Sequence, residues 1–314
     1  MKKAIYALLL AFLPSLAWGQ ESQTEYNFLR LPVSAHAAAL GGENITIIED
    51  DPSLVFSNPA LAASVSDRTA GLNYMNYMSG VSYASASYTK VLAPKTTVVG
   101  GVKYINYGSM KETDATGTQV GTFSANEFAI EGTLAYQLAR NVVGGITAKY
   151  VYSHIADYSS MGVAVDLGLN WYMPEREWSI SVVAKNLGGE VKAYNDDFGK
   201  MPFDLQLGVS KTFQGLPVRV SATLIDMTHY DYRFANHLCL GADILFSESI
   251  WAGLGYNFRR AEEMKMGEGD EESAHGAGLS FGAGLNLERF RLNVAYGKYH
   301  VSSHSLILNV GYTF

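Results

Sequence analysis

The chain has 314 residues, of which 48% are hydrophobic and 17% charged, with a formal net charge of −7 and one cysteine, Cys239. One cysteine excludes an internal disulfide, and the acidic balance argues against a nucleic-acid partner, which would need a basic face. The length fits one large all-β domain or two domains of ordinary size.

Residues 1–19 are typical of a secretory signal peptide. Two lysines precede the apolar run 4–13, and a small-x-small sequence at 17–19 predicts cleavage before Gln20. The alternative is a membrane anchor, but the run is shorter than the roughly 20 residues that a spanning helix needs, and Pro14 interrupts it. We therefore expect export of the mature chain.

Residues 20–66 lack long alternation and contain a run of small residues, 35–42, the acidic pair Asp50-Asp51, and Asn58-Pro59-Ala60. Proline fixes its own φ and restricts the residue before it, so the last motif predicts a turn. We interpret 20–66 as a plug or periplasmic segment, with Asn58, Pro59 and Ala60 as a hatch turn or as a plain connection.

From about residue 69 onward, apolar and polar residues alternate with a period of two, as in Ser160 to Trp171, and this pattern indicates strands. Residues 67–314 are predicted to form about fourteen of them, at 69–78, 80–92, 96–108, 124–138, 142–153, 159–173, 177–187, 203–213, 217–226, 237–246, 249–259, 276–287, 290–298 and 304–314.

Many of these segments reach about ten residues, the length with which a tilted strand crosses a bilayer. Short connections alternate with longer polar ones, at 109–123, 154–158, 188–202, 227–236 and 260–275, as in outer-membrane barrels. The fold predicted is therefore all-β, a transmembrane antiparallel barrel of about fourteen strands. The alternative is a soluble sandwich or lipocalin-like barrel with its apolar face inward.

The C-terminal strand carries the strongest single signal. Apolar side chains alternate up to an aromatic terminus, as in the signal read by the barrel-insertion machinery: Leu308, Val310, Tyr312 and Phe314. Such a strand would close the barrel and remove its free edge.

Charged residues fall at two kinds of position. Lumen-side charges could pair across the interior or line a water channel, and they are Lys103, Glu127, Glu131, Lys149, Asp166, Lys185, Asp243 and Arg259. An acidic group in a predicted outward loop could bind a partner or remain solvated, and it comprises Glu262, Glu263, Glu268, Asp270, Glu271 and Glu272.

No catalytic, cofactor or metal motif is found. The seven histidines include no helical His-x-x-x-His, and the chain has no Cys-x-x-Cys, nucleophile elbow or phosphate-binding loop. We expect a protein without enzymatic activity and without a cofactor.

An ordered series of N-terminal motifs, Ala39-Leu40-Gly41-Gly42, Glu49-Asp50-Asp51-Pro52, Phe56-Ser57-Asn58-Pro59-Ala60-Leu61 and Gly71-Leu72-Asn73-Tyr74, resembles the PorV/PorQ family of outer-membrane proteins. With Gly255-Tyr256-Asn257-Phe258-Arg259-Arg260 and the chain length, the likeness is nearest the PorQ branch. The resemblance implies a FadL-like barrel that works in type IX secretion.

The same resemblance implies partners. PorQ-like members anchor PorZ, a surface protein, in an attachment complex that also holds the PorU sortase and the PorV shuttle. Outer-membrane lipid and the insertion machinery would be further partners. Two other function classes stay open, a FadL-like transporter of hydrophobic small molecules and an outer-membrane enzyme such as a lipase, for which no Ser or His constellation can be assembled.

Overall fold

The structure is a computed structural model and describes residues 24–78, 80–247, 249–265, 276–301 and 303–314. The predicted signal peptide, 1–19, lies outside the described residues. Within the described part, fourteen strands are formed: β1 (Thr69–Met78), β2 (Val81–Ala93), β3 (Thr96–Thr113), β4 (Gln119–Ala139), β5 (Val142–Ile155), β6 (Tyr158–Met173), β7 (Trp178–Lys192), β8 (Asp204–Thr212), β9 (Val218–Leu224), β10 (Leu238–Leu245), β11 (Ile250–Asn257), β12 (Leu279–Asn286), β13 (Phe290–His300) and β14 (Ser303–Thr313).

Each strand pairs antiparallel with its neighbours in sequence, and β14 pairs with β1, so the sheet closes into a barrel. The closing register runs from Thr69 opposite Thr313 to Asn76 opposite Leu306. Closure satisfies the backbone groups that an edge strand would leave unpaired in lipid. The predicted closed antiparallel barrel of fourteen strands is confirmed.

The apolar side chains point outward and the polar ones inward. Leu72 is 63% exposed while the next residue, Asn73, is 7% exposed, and Leu308 and Asn309 differ in the same way. A soluble barrel would show the reverse, because water favours the polar face outside. An apolar outer wall needs lipid around it, so the soluble alternative is wrong.

Helices are short in the described residues: α1 (Ala35–Ala39), α2 (Phe258–Glu263), and 3-10 helices at Asn27–Arg30, Pro52–Phe56, Pro59–Ser64 and Phe234–His237. Among the described helices, none has the length and apolar character required to span a membrane.

Both ends of the barrel sequence, Thr69 and Thr313, lie at the end with the short connections, which we assign to the periplasm. At the outward end, the predicted loop 109–123 is wrong in its extent, because β3 continues to Thr113 and β4 begins at Gln119. Asp114 accepts hydrogen bonds from the Thr116 and Thr118 amides and thereby builds a tight turn in place of a long loop.

Several other predicted boundaries also differ from the structure, and β7 reaches Lys192, within the predicted loop 188–202. The β5–β6 connection is only Ala156 and Asp157, not 154–158. Strand β11 ends at Asn257, whose side chain accepts from the Arg260 amide and begins α2. Arg259 therefore lies on a helix, and its expected place on a lumen-facing strand is wrong.

Candidate functional site: the plug and the outward rim

Residues 24–66, called the plug below, lie inside the barrel. Helix α1 packs on β11–β14, helix Pro52–Phe56 on β1 and β2, and helix Pro59–Ser64 on β3–β6. Leu40, Ile45 and Leu54 at the centre of the plug are at most 1% exposed. The plug therefore spans the lumen from wall to wall.

A cluster of four charged side chains, three of them buried and one partly buried, joins the plug to the wall and is called the latch below. His36 and Glu49 come from the plug, and Arg219 and Asp243 come from β9 and β10. His36 places Nδ1 at 2.9 Å from Glu49 Oε2 and Nε2 at 3.0 Å from Asp243 Oδ1. Arg219 reaches the other oxygens of the two carboxylates, at 2.8 Å for Glu49 and 2.7 Å for Asp243.

The ring of His36 also stacks on Trp251, with centroids 3.5 Å apart and planes 5° from parallel. With both ring nitrogens facing carboxylates, the ring donates twice and is an imidazolium. Arg219 Nη2 lies 3.1 Å from His36 Nε2. This is then a contact between two hydrogen-bond donors, and the carboxylates of Glu49 and Asp243 compensate for the repulsion.

The electrostatics of the plug residues agree with this geometry. Burial alone lowers the pKa of His36, but the charges of Glu49 and Asp243 outweigh burial and raise that pKa to about 9. Burial alone raises the pKa of Glu49, but His36 and Arg219 outweigh it and lower that pKa to about 2. At neutral pH the latch thus holds two cations and two anions, and its charges balance.

A second connection links the acidic pair of the plug to β13. Asp50 forms an ion pair with Arg291. Asp51 Oδ2 accepts a hydrogen bond from Asn293 Nδ2 at 3.1 Å. Asn293 Oδ1 in turn accepts from Trp251 Nε1 at 3.2 Å. Asp51 is therefore linked to the latch through Asn293 and Trp251, whose ring stacks on His36.

The hatch residues Asn58, Pro59 and Ala60 form the start of the helix Pro59–Ser64. Asn58 Oδ1 accepts from the Ala60 amide at 2.9 Å, and Asn58 Nδ2 donates to the Ile45 carbonyl at 2.9 Å. Pro59 occupies the first helical position, where its missing N–H is not needed. The motif folds the plug back on itself.

Two glycines of the wall receive this motif. Gly145 on β5 and Gly168 on β6 lie directly opposite each other. A Cβ at Gly145 would lie 2.3 Å from the Pro59 carbonyl carbon, and one at Gly168 would lie 2.2 Å from Asn58 Oδ1. The two glycines are required because the plug backbone touches the wall at Gly145, and the side chains of Asn58 and Pro59 touch it at Gly168.

Five more of the predicted lumen charges form ion pairs. Three such ion pairs, with their N···O distances, are Lys103–Glu131 at 2.9 Å, Lys149–Asp166 at 2.6 Å and Lys185–Glu43 at 3.3 Å. The first two link neighbouring strands, and the third links β7 to the plug. A bulge at Lys185 and Asn186 turns both residues inward. These pairs consolidate the wall and the plug.

The C-terminal residues lie at the closing seam. Leu308, Tyr312 and Phe314 face outward and are 38%, 42% and 62% exposed, and Val310 on the same face is partly buried. The Phe314 amide donates to the Arg68 carbonyl at 3.1 Å, next to β1. The ring of Phe314 therefore faces the lipid at the last backbone hydrogen bond of the seam between β14 and β1.

The outward rim is built by the segments 193–203 and 225–237 together with α2. Three of its aromatic side chains are strongly exposed, Phe198 at 65%, Tyr230 at 76% and Phe234 at 74%. Exposed aromatics on an extramembrane rim are typical anchors of protein interfaces.

The predicted acidic loop is described only in part. Glu262 and Glu263 lie on α2, where Glu262 pairs with Lys265 at 2.6 Å and Glu263 with Arg259 at 2.5 Å. The other four acidic positions lie outside the described residues: Glu268, Asp270, Glu271 and Glu272. The two described carboxylates therefore already have basic partners within the chain.

Comparison with known proteins assigns the chain to a family. Residues 53–309 match the family described as type IX secretion system membrane protein PorP/SprF. This chain belongs to the PorP/SprF family. Among curated proteins, none matches the chain.

Solved structures share the fold of this family member. The P. putida toluene transporter TodX superposes with a TM-score of 0.59 and 12% identity over 91% of this chain and 99% of that chain. The CymD monoaromatic hydrocarbon channel superposes with a TM-score of 0.58 and 12% identity, over 91% of this chain and 98% of that chain. A Pseudomonas aeruginosa FadL homologue superposes with a TM-score of 0.55 and 12% identity, over 90% of this chain and 98% of that chain. Identities this low establish the FadL-like barrel fold alone.

Family and fold together confirm the sequence interpretation at the level of an outer-membrane component of type IX secretion. The narrower assignment to the PorV/PorQ branch stays a prediction, because the matched family is PorP/SprF.

Sequence reasoning missed the latch. The spacing of the histidines tests only for metal ligands, and His36 has no sequence neighbour that reveals its partners. Arg219 and Asp243 lie 183 and 207 positions from His36 along the chain. The alternation did place Asp243 in the lumen, but contact with the plug is a property of the closed barrel.

Proposed function

We propose that this chain is a non-enzymatic outer-membrane component of the type IX secretion system that anchors a PorZ-like surface protein of the cargo attachment complex. The family supports the secretion system, and the N-terminal motifs support the PorQ-like role. A PorU-like sortase and a PorV-like shuttle would be further members of the complex.

The observation that carries the proposal is the bonded plug. His36, Glu49 and Asp50 tie it to three strands of the wall. Breaking the His36–Asp243 pair, which is buried on both sides, costs on the order of 3–5 kcal/mol. A barrel whose lumen is held closed in this way favours a rigid platform over a passage.

The outward rim supplies the proposed partner surface. Phe198, Tyr230 and Phe234 offer apolar contact area. In the acidic group from Glu262 to Glu272, the carboxylates beyond the paired Glu262 and Glu263 offer negative charge to a basic patch of the partner. Charges at the edge of an interface steer association more than they add affinity.

The biogenesis that we propose begins with export. Residues 1–19 act as a cleaved signal peptide, 20–66 form the plug, and 67–314 form the barrel. The insertion machinery reads the terminal strand through Leu308, Val310, Tyr312 and Phe314, and the lipid of the outer membrane then surrounds the apolar wall.

A FadL-like transporter of hydrophobic small molecules is the second candidate. It is favoured by the shared fold with the toluene transporter TodX and by a plug with a hatch motif inside the barrel. For transport, the plug would have to leave the wall, and the latch would have to break in each cycle.

Affinity purification separates the two candidates. A tag inserted after Gly215, in an open periplasmic turn, leaves the outward rim untouched. After mild detergent extraction, we expect the barrel to recover a large surface protein with other type IX components. Recovery of a lone barrel with a bound apolar ligand would refute anchoring and support transport.

A further inference from the structure

The hairpin of β3 and β4 projects beyond the rest of the barrel. β3 pairs with β2 only up to Asn106, and β4 pairs with β5 only from Ala125. Beyond these points, β3 and β4 continue to pair with each other, from Ser109 opposite Ser124 to Thr113 opposite Gln119. The projecting ribbon, residues 109–123, extends by about five residues, or roughly 17 Å along the strands.

This ribbon has two open edges. Among the described residues, no strand lies beside it on either side, so each edge presents backbone N–H and C=O groups without a ladder partner. Such edges are templates for added strands, and proteins usually protect them with charges, prolines or bulges. An isolated two-stranded hairpin is also only marginally stable in water.

The two edges are not protected equally. The β3 edge carries Lys111, the charged type of side chain that discourages strand addition. Glu112 lies opposite Gly121 and places its carboxylate over that glycine, on one face of the ribbon. The β4 edge, 119–123, has neither charge nor proline. It carries Val120, which is 61% exposed, and Phe123, which is partly buried. One edge is therefore defended and the other is open.

The direction of the backbone N–H and C=O groups identifies the residue that faces the open edge. The Ser124 carbonyl accepts from the Ala156 amide at 3.1 Å, so the peptide groups of Ser124 point toward the β5 side. Peptide direction alternates along a strand, so the N–H and C=O of Thr122 point the same way, into a region without a strand. Lys111, directly opposite Thr122, points its peptide groups to the other edge.

We propose that the open β4 edge of this ribbon, residues 119–123, is a further contact site of the surface partner beside the outward rim, and that the partner adds an extended strand there. The inference rests on the proposed anchoring function and gives the contact its chemistry. Backbone hydrogen bonds at Thr122 supply the pairing, and apolar side chains of the added strand pack on Val120. The charged β3 edge keeps the addition on one side.

Two proline variants test this edge in the full-length barrel tagged after Gly215. Thr122→Pro removes an N–H that faces the open edge and leaves the β3–β4 ladder donors in place. Lys111→Pro is the matched control, since it removes the N–H of the opposite residue at the other edge. We expect Thr122→Pro to lower the surface protein recovered per barrel roughly tenfold, and Lys111→Pro to leave recovery unchanged.

Cross-linking gives a second measurement that does not depend on a proline. Cys239 is the single cysteine and is 2% exposed, so a photoreactive maleimide can be directed to Thr122→Cys or to Lys111→Cys. We expect the Thr122→Cys variant alone to cross-link the surface protein.

The outcomes separate this inference from the proposed function. If both proline variants recover the surface protein at the wild-type level, the proposed strand addition at the β4 edge is overturned and the anchoring function is left intact. Equal loss in both variants also overturns it, as does a cross-link from Thr122→Cys to a second copy of this chain. Failure of the wild-type barrel to recover any surface protein overturns the anchoring function itself.

Discussion

Replacement of His36 by alanine should release the plug without unfolding the barrel. His36 is fully buried, touches both carboxylates of the latch and stacks on Trp251. Without it, Glu49 and Asp243 share one cation, Arg219, and one negative charge of the cluster is uncompensated.

The magnitude follows from the charge balance of the latch. Breaking a buried ion pair by removing one partner costs on the order of 3–5 kcal/mol. Taking the lower value, the fraction of molecules with an open plug rises about a hundredfold, since each 1.4 kcal/mol is about a factor of ten. The strand ladder of the barrel does not depend on His36, so its closure is preserved.

Cys239 is a native reporter of this opening. It is 2% exposed, and its Sγ donates to the Leu40 carbonyl of the plug at 3.5 Å. A Cβ at Gly41 would lie 2.3 Å from the same sulfur. The plug thus covers the only thiol of the chain, and the rate of maleimide labelling measures how often the plug leaves the wall.

The matched control is Lys149→Met. Lys149 is an equally buried cation, but its partners Asp166 and Asn186 lie on the wall and not on the plug. We expect faster labelling of Cys239 in His36→Ala and little change in Lys149→Met, with both barrels still migrating as folded species in unheated electrophoresis. An unchanged labelling rate in His36→Ala would refute the role of the latch.

Three further predictions concern the same elements. The pKa of His36 rises from 6.5 to about 9 in the folded plug, so its contribution is complete below pH 6.5 and is lost as the pH rises through 9. The ratio of labelling rates between His36→Ala and wild type should fall over that interval, and a constant ratio contradicts the ion pairs. Gly168→Ala should speed labelling roughly tenfold by overpacking the hatch motif, whereas Gly132→Ala, with open space around its Cβ position, should match wild type; equal rates would contradict the close contact. Phe314→Ala should reduce the folded barrel recovered from outer membranes several-fold, while Phe290→Ala, also lipid-facing, should not, and an unaffected yield would exclude Phe314 from the insertion signal.

Much of the wall could be predicted because a barrel strand has a simple period. Residues such as Leu72 and Asn73 differ sharply in polarity, and the closed fold places one in lipid and the other in the lumen. The polar faces of the strands are rich in small residues, and this composition already favoured a barrel surrounded by lipid over a barrel surrounded by water. The strand positions followed from the same alternation, repeated along the chain.

What could not be predicted depends on contacts far apart in sequence or on local competition. The latch joins His36 to Arg219 and Asp243, and nothing in the sequence near His36 identifies these partners. The ribbon at 109–123 contains Asp114 and Gly117, which signal a loop, yet its Thr and Val residues continue the strands. At Asn257, a helix cap ended a strand that alternation alone would have extended.

The most direct test of the anchoring function is the fate of the surface partner in cells that lack this barrel. Surface proteins would be compared in whole cells and in the culture medium, with and without expression of the chain, alongside uptake of a labelled fatty acid and of toluene. We predict that the partner is released into the medium while uptake is unchanged. A partner that remains on the cell surface, together with reduced uptake of either apolar solute, would contradict the account.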